Sequence, residues 1–211
     1  MLRTLVIETA TAACSVALIE HGAVIAAAHE VVNRGHAERL VPMIAELPDG
    51  GRAQRILVDC GPGSFTGVRV GIAAARGLAF GWDAEIHGYS SLPLIAAAAF
   101  AGDPALRDLA VVLEGGHGEV FMQGFTAPPF AATEAFASLK PAAALASLGQ
   151  RAAFGSGIRH LAALDDTLAL GDRLPDAAAA ILLPAAFTTL PPRPIYGRAP
   201  DATPPAPRVR A

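Results

Sequence analysis

No apolar run in this 211-residue chain is long enough to cross a bilayer. The longest, Leu92 to Ala101, carries Pro93 and is about half the ~20 residues a membrane helix takes. Met1 to Glu8 holds no adequate apolar stretch before its first acid, so no secretory signal is read there. A soluble, cytoplasmic protein with no membrane partner is therefore expected, although 53% of residues are hydrophobic and the mean hydropathy is +0.42. Much of that fraction is alanine, which packs helices closely. Cysteine is scarce. Cys14 and Cys60 each border an apolar run, which suits small buried thiols better than a disulfide. Positive charge is also short. The net charge is −3, and the tail from Pro191 to Ala211 carries +3, so the preceding residues sum to −6. Such a body has no overall field for a polyanion, and any nucleic acid would be held locally or through a partner.

Several catalytic signatures are missing as well. The turn Gly61-Pro62-Gly63-Ser64-Phe65-Thr66-Gly67 precedes a helix, but no lysine follows Gly67, so it is not a P-loop, and it is not a G-x-G-x-x-G fingerprint. His36 opens a helix, yet Arg39 and Leu40 stand where a second zinc ligand would fall, and the other histidines are scattered. No glycine-flanked serine elbow surrounds Ser64 or Thr66. No catalytic residue, metal or cofactor is assigned.

What remains is an α/β pattern. Arg3 to Glu8 reads as a buried strand, and Cys14 to Ile19 and Ala23 to His29 as a hairpin about Glu20-His21-Gly22. Asn33 to Leu47 repeats apolar residues at helical spacing (Leu40, Met43, Ile44, Leu47), with Ala37, Val41 and Ala45 as a second stripe. Pro42 should kink that helix, and Pro48-Asp49-Gly50-Gly51 ends it. Arg55 to Cys60 lacks alternation, the mark of a strand buried on both faces. A helix from Phe65 to Gly81 follows, with Gly67, Gly71, Ala74, Ala75 and Leu78 on one face, where small residues permit close approach. Ser64 reads as its N-cap. Arg69 and Arg76 share a face read as solvated. Glu85 to Tyr89 is a strand and Ser90 to Ala101 a helix. After Gly102-Asp103-Pro104, Leu109 to Leu113 and Glu119 to Phe125 form a second hairpin. A loop follows at Ala127 to Phe130, then a helix at Pro141 to Leu148 and a strand at Ala152 to Phe154. A short helical segment comes after Gly157, and a last helix is expected from Leu174 to about Thr188. The order predicts two related lobes, 1–103 and 104–211, the second abbreviated, with 174–211 packing back on the first.

By spacing alone, the glycine turn is more readily a structural turn holding its helix close to its strand than an anion cradle. Its residues nonetheless resemble a family. Gly61-Pro62-Gly63-Ser64-Phe65-Thr66-Gly67-Val68-Arg69-Val70-Gly71 is similar to the signature of the TsaB/YeaZ family. Ile7-Glu8-Thr9-Ala10 with Cys14 to Leu18, His36 to Ile44, and Pro194 to Ala202 resemble further family segments in the right order.

The resemblance implies a two-lobe actin-like ATPase (ASKHA) superfamily fold with ribonuclease H-like lobes. It implies a non-catalytic subunit that binds and activates the catalytic subunit TsaD, which transfers threonylcarbamoyl to adenosine 37 of ANN-decoding tRNAs. A TsaE-like ATPase serves the larger complex, and tRNA is reached only through that complex. Docking is expected through the helices near His36 and Thr66, with homodimerisation through the same helices when the partner is missing. The residues carried over are His36, Arg39, Leu40, Met43 and Ile44 on the first helix, and Gly67, Val68, Gly71, Ile72 and Ala75 on the second. Gly71→Arg or Met43→Glu is expected to break the complex with the fold intact. Glu8 stands where the family usually has Asp and Ala10 where it has Ser, so the loop Glu8-Thr9-Ala10 is expected to be a vestigial nucleotide loop. The arginine that often precedes the family's Gly-Glu-Val-Tyr is also missing before Gly118-Glu119-Val120-Phe121. Two alternatives stand beside this reading: an ATP-binding phosphotransferase or glycoprotease-type metallopeptidase of the same fold, and a binding module whose basic tail contacts RNA.

Overall fold

The computed structural model describes residues 2–197; Arg198, Asp201, Arg208 and Arg210 of the basic tail, and the end of the Pro194 to Ala202 motif, lie outside the described residues. The first sheet contains β1 (Thr4–Glu8), β2 (Ala13–Glu20), β3 (Ala23–Val31), β4 (Arg55–Asp59) and β5 (Glu85–Tyr89) in the order β3-β2-β1-β4-β5. β1, β2 and β3 form an antiparallel meander with an irregularity at Leu18/Ile19, while β1, β4 and β5 run parallel. Alternation sorts the side chains between two layers. Leu5, Ile7, Val16, Leu18, Ile56 and Val58 face α1 (His36–Ala45) and α2 (Phe65–Trp82), whereas Val6, Ala17 and Leu57 face the opposite side.

α3 (Ser91–Gly102) fills the space between this sheet and the second. Leu94 and Ala97 pack toward the first, and Leu92, Ile95, Ala96 and Ala99 toward the second. A helix apolar all round has to be covered on all sides, and this one is. The second sheet is built on β6 (Asp108–Glu114) and β7 (Val120–Thr126), an antiparallel hairpin, with β8 (Ala131–Ala132) and β9 (Ala137–Leu139) on β7. α4 (Pro141–Leu148), β10 (Ala152–Phe154), α5 (Ile158–Ala162) and β11 (Leu170–Gly171) complete it, β10 running parallel to β6 and β11.

Two expectations are corrected, and three short strands are added. α1 begins at His36 rather than Asn33, because Asn33 turns through the left-handed region (φ 55°) and Gly35 supplies no side-chain cap. The strands β8, β9 and β11 fall in stretches to which the sequence assigns no element, being two or three residues long and without measurable alternation. The alanine-rich helix over 174–188 does not form. Asp176 instead caps a 3₁₀ segment, Ala177–Leu182, and a second follows at Ala185–Phe187. Pro184 explains the break, since it disfavours helical backbone at the residue before it, and Leu183 is extended at φ −76°, ψ 128°. Ala177 and Ala180 pack beside Val6, Ala17 and Leu57 of the first sheet.

The chain then returns along that sheet's edge. Leu190 bridges Gly88, and the Ile195 N–H donates to the Cys60 carbonyl at 2.8 Å. No helix among the described residues is long and apolar enough to cross a membrane.

Candidate functional site

Two turns at the carboxyl ends of β1 and β4 seat the amino end of α2. In the first, the Ala10 N–H donates to Glu8 Oε1 at 2.9 Å. In the second, the Gly61 N–H donates to Asp59 Oδ1 at 3.0 Å. The turns bond to one another, with the Ser64 N–H donating to the Ala10 carbonyl at 2.6 Å. Ser64 is the N-cap, its Oγ accepting from the Gly67 N–H at 3.2 Å. Thr9 Oγ1 donates to the Gly67 carbonyl at 2.8 Å. A Cβ on Gly63 would overlap the Ala10 carbonyl oxygen, one on Gly67 the Thr9 carbonyl oxygen, and one on Gly71 Thr9 Oγ1. These glycines therefore let α2 lie directly on the first turn. The structural reading of the glycine turn is the one the geometry matches, and a phosphate between the turns would have to displace bonds already made.

Glu8, Thr9 and Asp59 are fully buried. Tyr89 donates its hydroxyl to Glu8 Oε2 at 3.0 Å and to the Ile7 carbonyl at 3.1 Å, and the Ser91 hydroxyl donates to Asp59 Oδ1 at 3.2 Å. Burial pushes the Asp59 carboxyl up to about 7 and, with the neighbouring Asp59 charge, holds Glu8 well above the usual carboxylate range. Sequence reading missed Asp59, Tyr89 and Ser91. The available signal was an aspartate ending an otherwise apolar strand. Tyr89→Phe is expected to lower stability by ~1–3 kcal/mol, because Glu8 Oε2 loses its hydroxyl donor in a dry site; urea denaturation reads this directly.

Between the sheets lies a cleft of about 1030 Å³, lined on one side by Ala10, Gly63, Ser64, Phe65 and Arg69, and on the other by residues including Leu113, Glu114, Phe121 and Ser156. Of the loop Glu8-Thr9-Ala10, only Ala10 reaches it. No cluster of three metal-binding side chains occurs among the described residues.

The outer face of the first lobe is made by α1 and α2. Of the ten residues expected to touch a partner, nine (His36, Leu40, Met43, Ile44, Gly67, Val68, Gly71, Ile72 and Ala75) are buried within this chain. The tenth, Arg39, is half-buried and bidentate on Glu30 (2.7 and 2.5 Å), with Glu46 at 3.3 Å. The residue assignment is corrected accordingly. Helical spacing identified the apolar stripe, and the chain's own sheet covers that stripe. Gly71→Arg and Met43→Glu consequently strike the core and would not leave the fold intact.

The exposed positions lie on the other side of the same helices. They include Ala37, Glu38, Val41, Pro42 and Ala45 on α1, and Thr66, Ala73, Gly77, Phe80 and Gly81 on α2, while Phe65, Arg69 and Arg76 are exposed along the side of α2 that meets the carboxy-terminal segment. Phe80 is 93% exposed and Val41 57%. Arg69 and Arg76 are not simply solvated. Arg69 lies 3.4 Å from the Phe65 ring centroid and donates to the Tyr196 hydroxyl at 2.8 Å, and Arg76 donates to the Pro192 carbonyl at 2.7 Å. Both arginines hold the returning carboxy-terminal segment against α2.

Comparison with known proteins places this architecture. The family model described as TsaD: tRNA N6-adenosine threonylcarbamoyltransferase matches residues 26–147, more than half of the chain. The tRNA threonylcarbamoyladenosine biosynthesis protein TsaB of Escherichia coli is 41% identical over 125 residues, which cover 57% of this chain and 53% of that protein. YeaZ from Pseudomonas aeruginosa superposes with a TM-score of 0.79 at 27% identity, covering 93% of this chain and all of that one. The chain belongs to the TsaB/YeaZ family. An uncharacterized Mycobacterium tuberculosis protein is 32% identical over 157 residues, covering 69% of this chain and 71% of that one. The matched segment spans about half the length of the TsaB proteins of E. coli and Haemophilus influenzae. As in the YeaZ structure, the fold is the two-lobe actin-like ASKHA arrangement, here with a five-stranded and a six-stranded sheet.

Proposed function

We propose that this protein is the non-catalytic scaffold subunit of the bacterial tRNA N6-threonylcarbamoyladenosine (t6A37) machinery, and that it binds and activates a TsaD-like catalytic subunit through the outward faces of α1 and α2. The observation that carries the proposal is the exposure of Phe80, Val41, Ala73 and Gly77 on two adjacent helices whose inward faces are already used by the core. A large aromatic left almost wholly in water beside alanine and glycine positions is what a close helix–helix interface leaves behind when its partner is removed. Family membership supplies the chemical context, since the E. coli relative carries the t6A biosynthesis name.

In this reading a TsaE-like ATPase joins the larger complex, and the same faces pair two copies of the chain when the catalytic subunit is missing. tRNA is contacted only through the assembly, and the protein works in the cytoplasm. The buried acids of the two turns do no chemistry on substrate.

Reconstitution tests this. A TsaD-like subunit, a TsaE-like ATPase, a threonylcarbamoyl donor and an ANN-decoding tRNA transcript are incubated with and without this chain, and t6A is quantified by mass spectrometry of the nucleosides. Omitting the chain is expected to cut the rate by at least about tenfold, a transition-state effect of ~1.4 kcal/mol or more. Equal rates without it, or ATP turnover by the isolated chain, would instead favour the phosphotransferase alternative.

A further inference from the structure

We infer that Glu8 and Asp59 hold a proton between their carboxyl groups, and that this proton latches together the two turns that seat α2. Glu8 ends β1 and Asp59 ends β4. These strands are parallel neighbours, with Ile7 paired to Val58 immediately before the two acids. Both side chains are fully buried. Three of the four carboxyl oxygens have donors of their own: Glu8 Oε1 takes the Ala10 N–H, Glu8 Oε2 the Tyr89 hydroxyl, and Asp59 Oδ1 the Gly61 N–H and the Ser91 hydroxyl. Asp59 Oδ2 is buried with none. The Glu8 carboxyl is in hydrogen-bonding reach of Asp59, and a protonated Glu8 is the donor that satisfies it. The arrangement is Glu8–CO₂H donating to Asp59–CO₂⁻.

The surroundings offer no substitute for that proton. From β2 come Ser15, opposite Glu8 and bonded to Asp176, and the Cys14 thiol. Cys60 follows β4, and Tyr89 comes from β5. Burial pushes Cys14 up to about 11 and Cys60 to about 12, and raises Tyr89 further, so all three are neutral near pH 7. Asp176, reached through Ser15, adds a third carboxyl, and the Arg39 guanidinium beyond Cys14 is taken up by Glu30 and Glu46. Loss of the shared proton to hydroxide, which leaves as water, puts two carboxylates side by side in a dry core, which like-charge repulsion opposes. Relief requires the strand ends to part or water to enter. Because each carboxylate holds the N–H of its own turn, the turns move with them, and the Ser64-to-Ala10 bond beneath α2 is strained.

The sign follows from the raised acids. In the fold Glu8 is held well above the ordinary carboxylate range, so the stabilisation is fully present below that range and is lost progressively as pH rises from it through the raised folded value. Glu8→Gln is the informative variant, since its amide N–H can donate to Asp59 Oδ2 permanently. In urea denaturation from about pH 5 to about pH 7.5, between the ordinary carboxylate range and the pH at which the folded chain still holds the proton, the wild-type unfolding constant is expected to rise with pH up to about tenfold per unit more steeply than that of Glu8→Gln. Amide-exchange protection at Ala10 and Gly61 should fall with it only in the wild type. A second reading uses the wild type alone: with carbon-13 glutamate, one carboxyl resonance, assigned to Glu8 by its loss in the variant, should keep the chemical shift of an acid at pH 7. A Glu8 resonance at the carboxylate shift at pH 7, or parallel pH profiles for the two proteins, would overturn the inference. If the variant does not fold, the resonance that stays at the acid shift at pH 7 still decides, because every exposed glutamate is ionised there.

Discussion

Gly67→Ala is expected to destabilise the protein by about 3 kcal/mol or more, whereas Gly77→Ala, ten residues along the same helix, is expected to stabilise it by about 0.5–1 kcal/mol. The added methyl is identical, and its surroundings decide the sign. At Gly67 it would overlap the carbonyl oxygen of Thr9, which is backbone and cannot swing aside. Accommodating it means lifting α2 off the turn and giving up the Thr9 bond to the Gly67 carbonyl and the packing of Val68, Gly71 and Ile72 beneath. Overpacking of this kind costs 1–3 kcal/mol even when side chains can adjust, and more when they cannot. At Gly77 a Cβ meets nothing within 4 Å, and the helix gains alanine's propensity over glycine's. Urea midpoints of the two variants measure both effects. A Gly67→Ala protein as stable as wild type would show that α2 does not depend on close seating against Thr9.

Phe80→Arg is expected to lower affinity for a TsaD-like subunit by about 30-fold or more, and to dissociate any homodimer formed through the same faces, at almost no cost to the fold. Phe80 is 93% exposed, so its removal leaves no cavity. Arginine also suits the last turn of α2, where the helix dipole favours a cation. An exposed aromatic flanked by Ala73, Gly77 and Gly81 has the composition of an interface anchor, and truncating such an anchor costs about 2 kcal/mol or more. The Phe80→Arg protein should melt within a degree or two of wild type while losing the complex in calorimetric titration. Unchanged affinity would remove Phe80 from the interface and direct attention to the cleft.

Much of the first lobe was legible from pattern alone, and the reason differs by element. β1 and β4 are short aliphatic runs ending in an acid, and β2 is an apolar run carrying Ser15 and ending at Glu20, so their type shows and their ends fall within a residue. α2 was legible because Ser64 caps it and small residues recur at helical spacing. What pattern could not reveal was which neighbour each face meets. Pattern and resemblance alike put the stripe Leu40, Met43, Ile44 and the glycines 67 and 71 at the surface facing a partner. In the fold the first satisfies the chain's own sheet and the second its own Thr9. Amphipathicity reports that a face must be covered and is silent on whether the cover lies in the same chain. Asp59 and Tyr89 escaped for a related reason, because one acid in an apolar strand acquires meaning only when β1 delivers Glu8 beside it. The stretch 174–188 failed on composition: alanine favours helix, but Pro184 and the pull of Ala177 and Ala180 into the first sheet's core prevailed.

Hydrogen exchange followed by mass spectrometry, on this chain alone and after adding a TsaD-like subunit, tests the docking proposal most directly. The account predicts that exchange slows in residues 37–46 and 66–81, the stretches of α1 and α2 that carry the outward faces, and is unchanged around residues 108–126 of the second hairpin. Protection confined to the second hairpin and the cleft, with both helices exchanging as in the free chain, would contradict it.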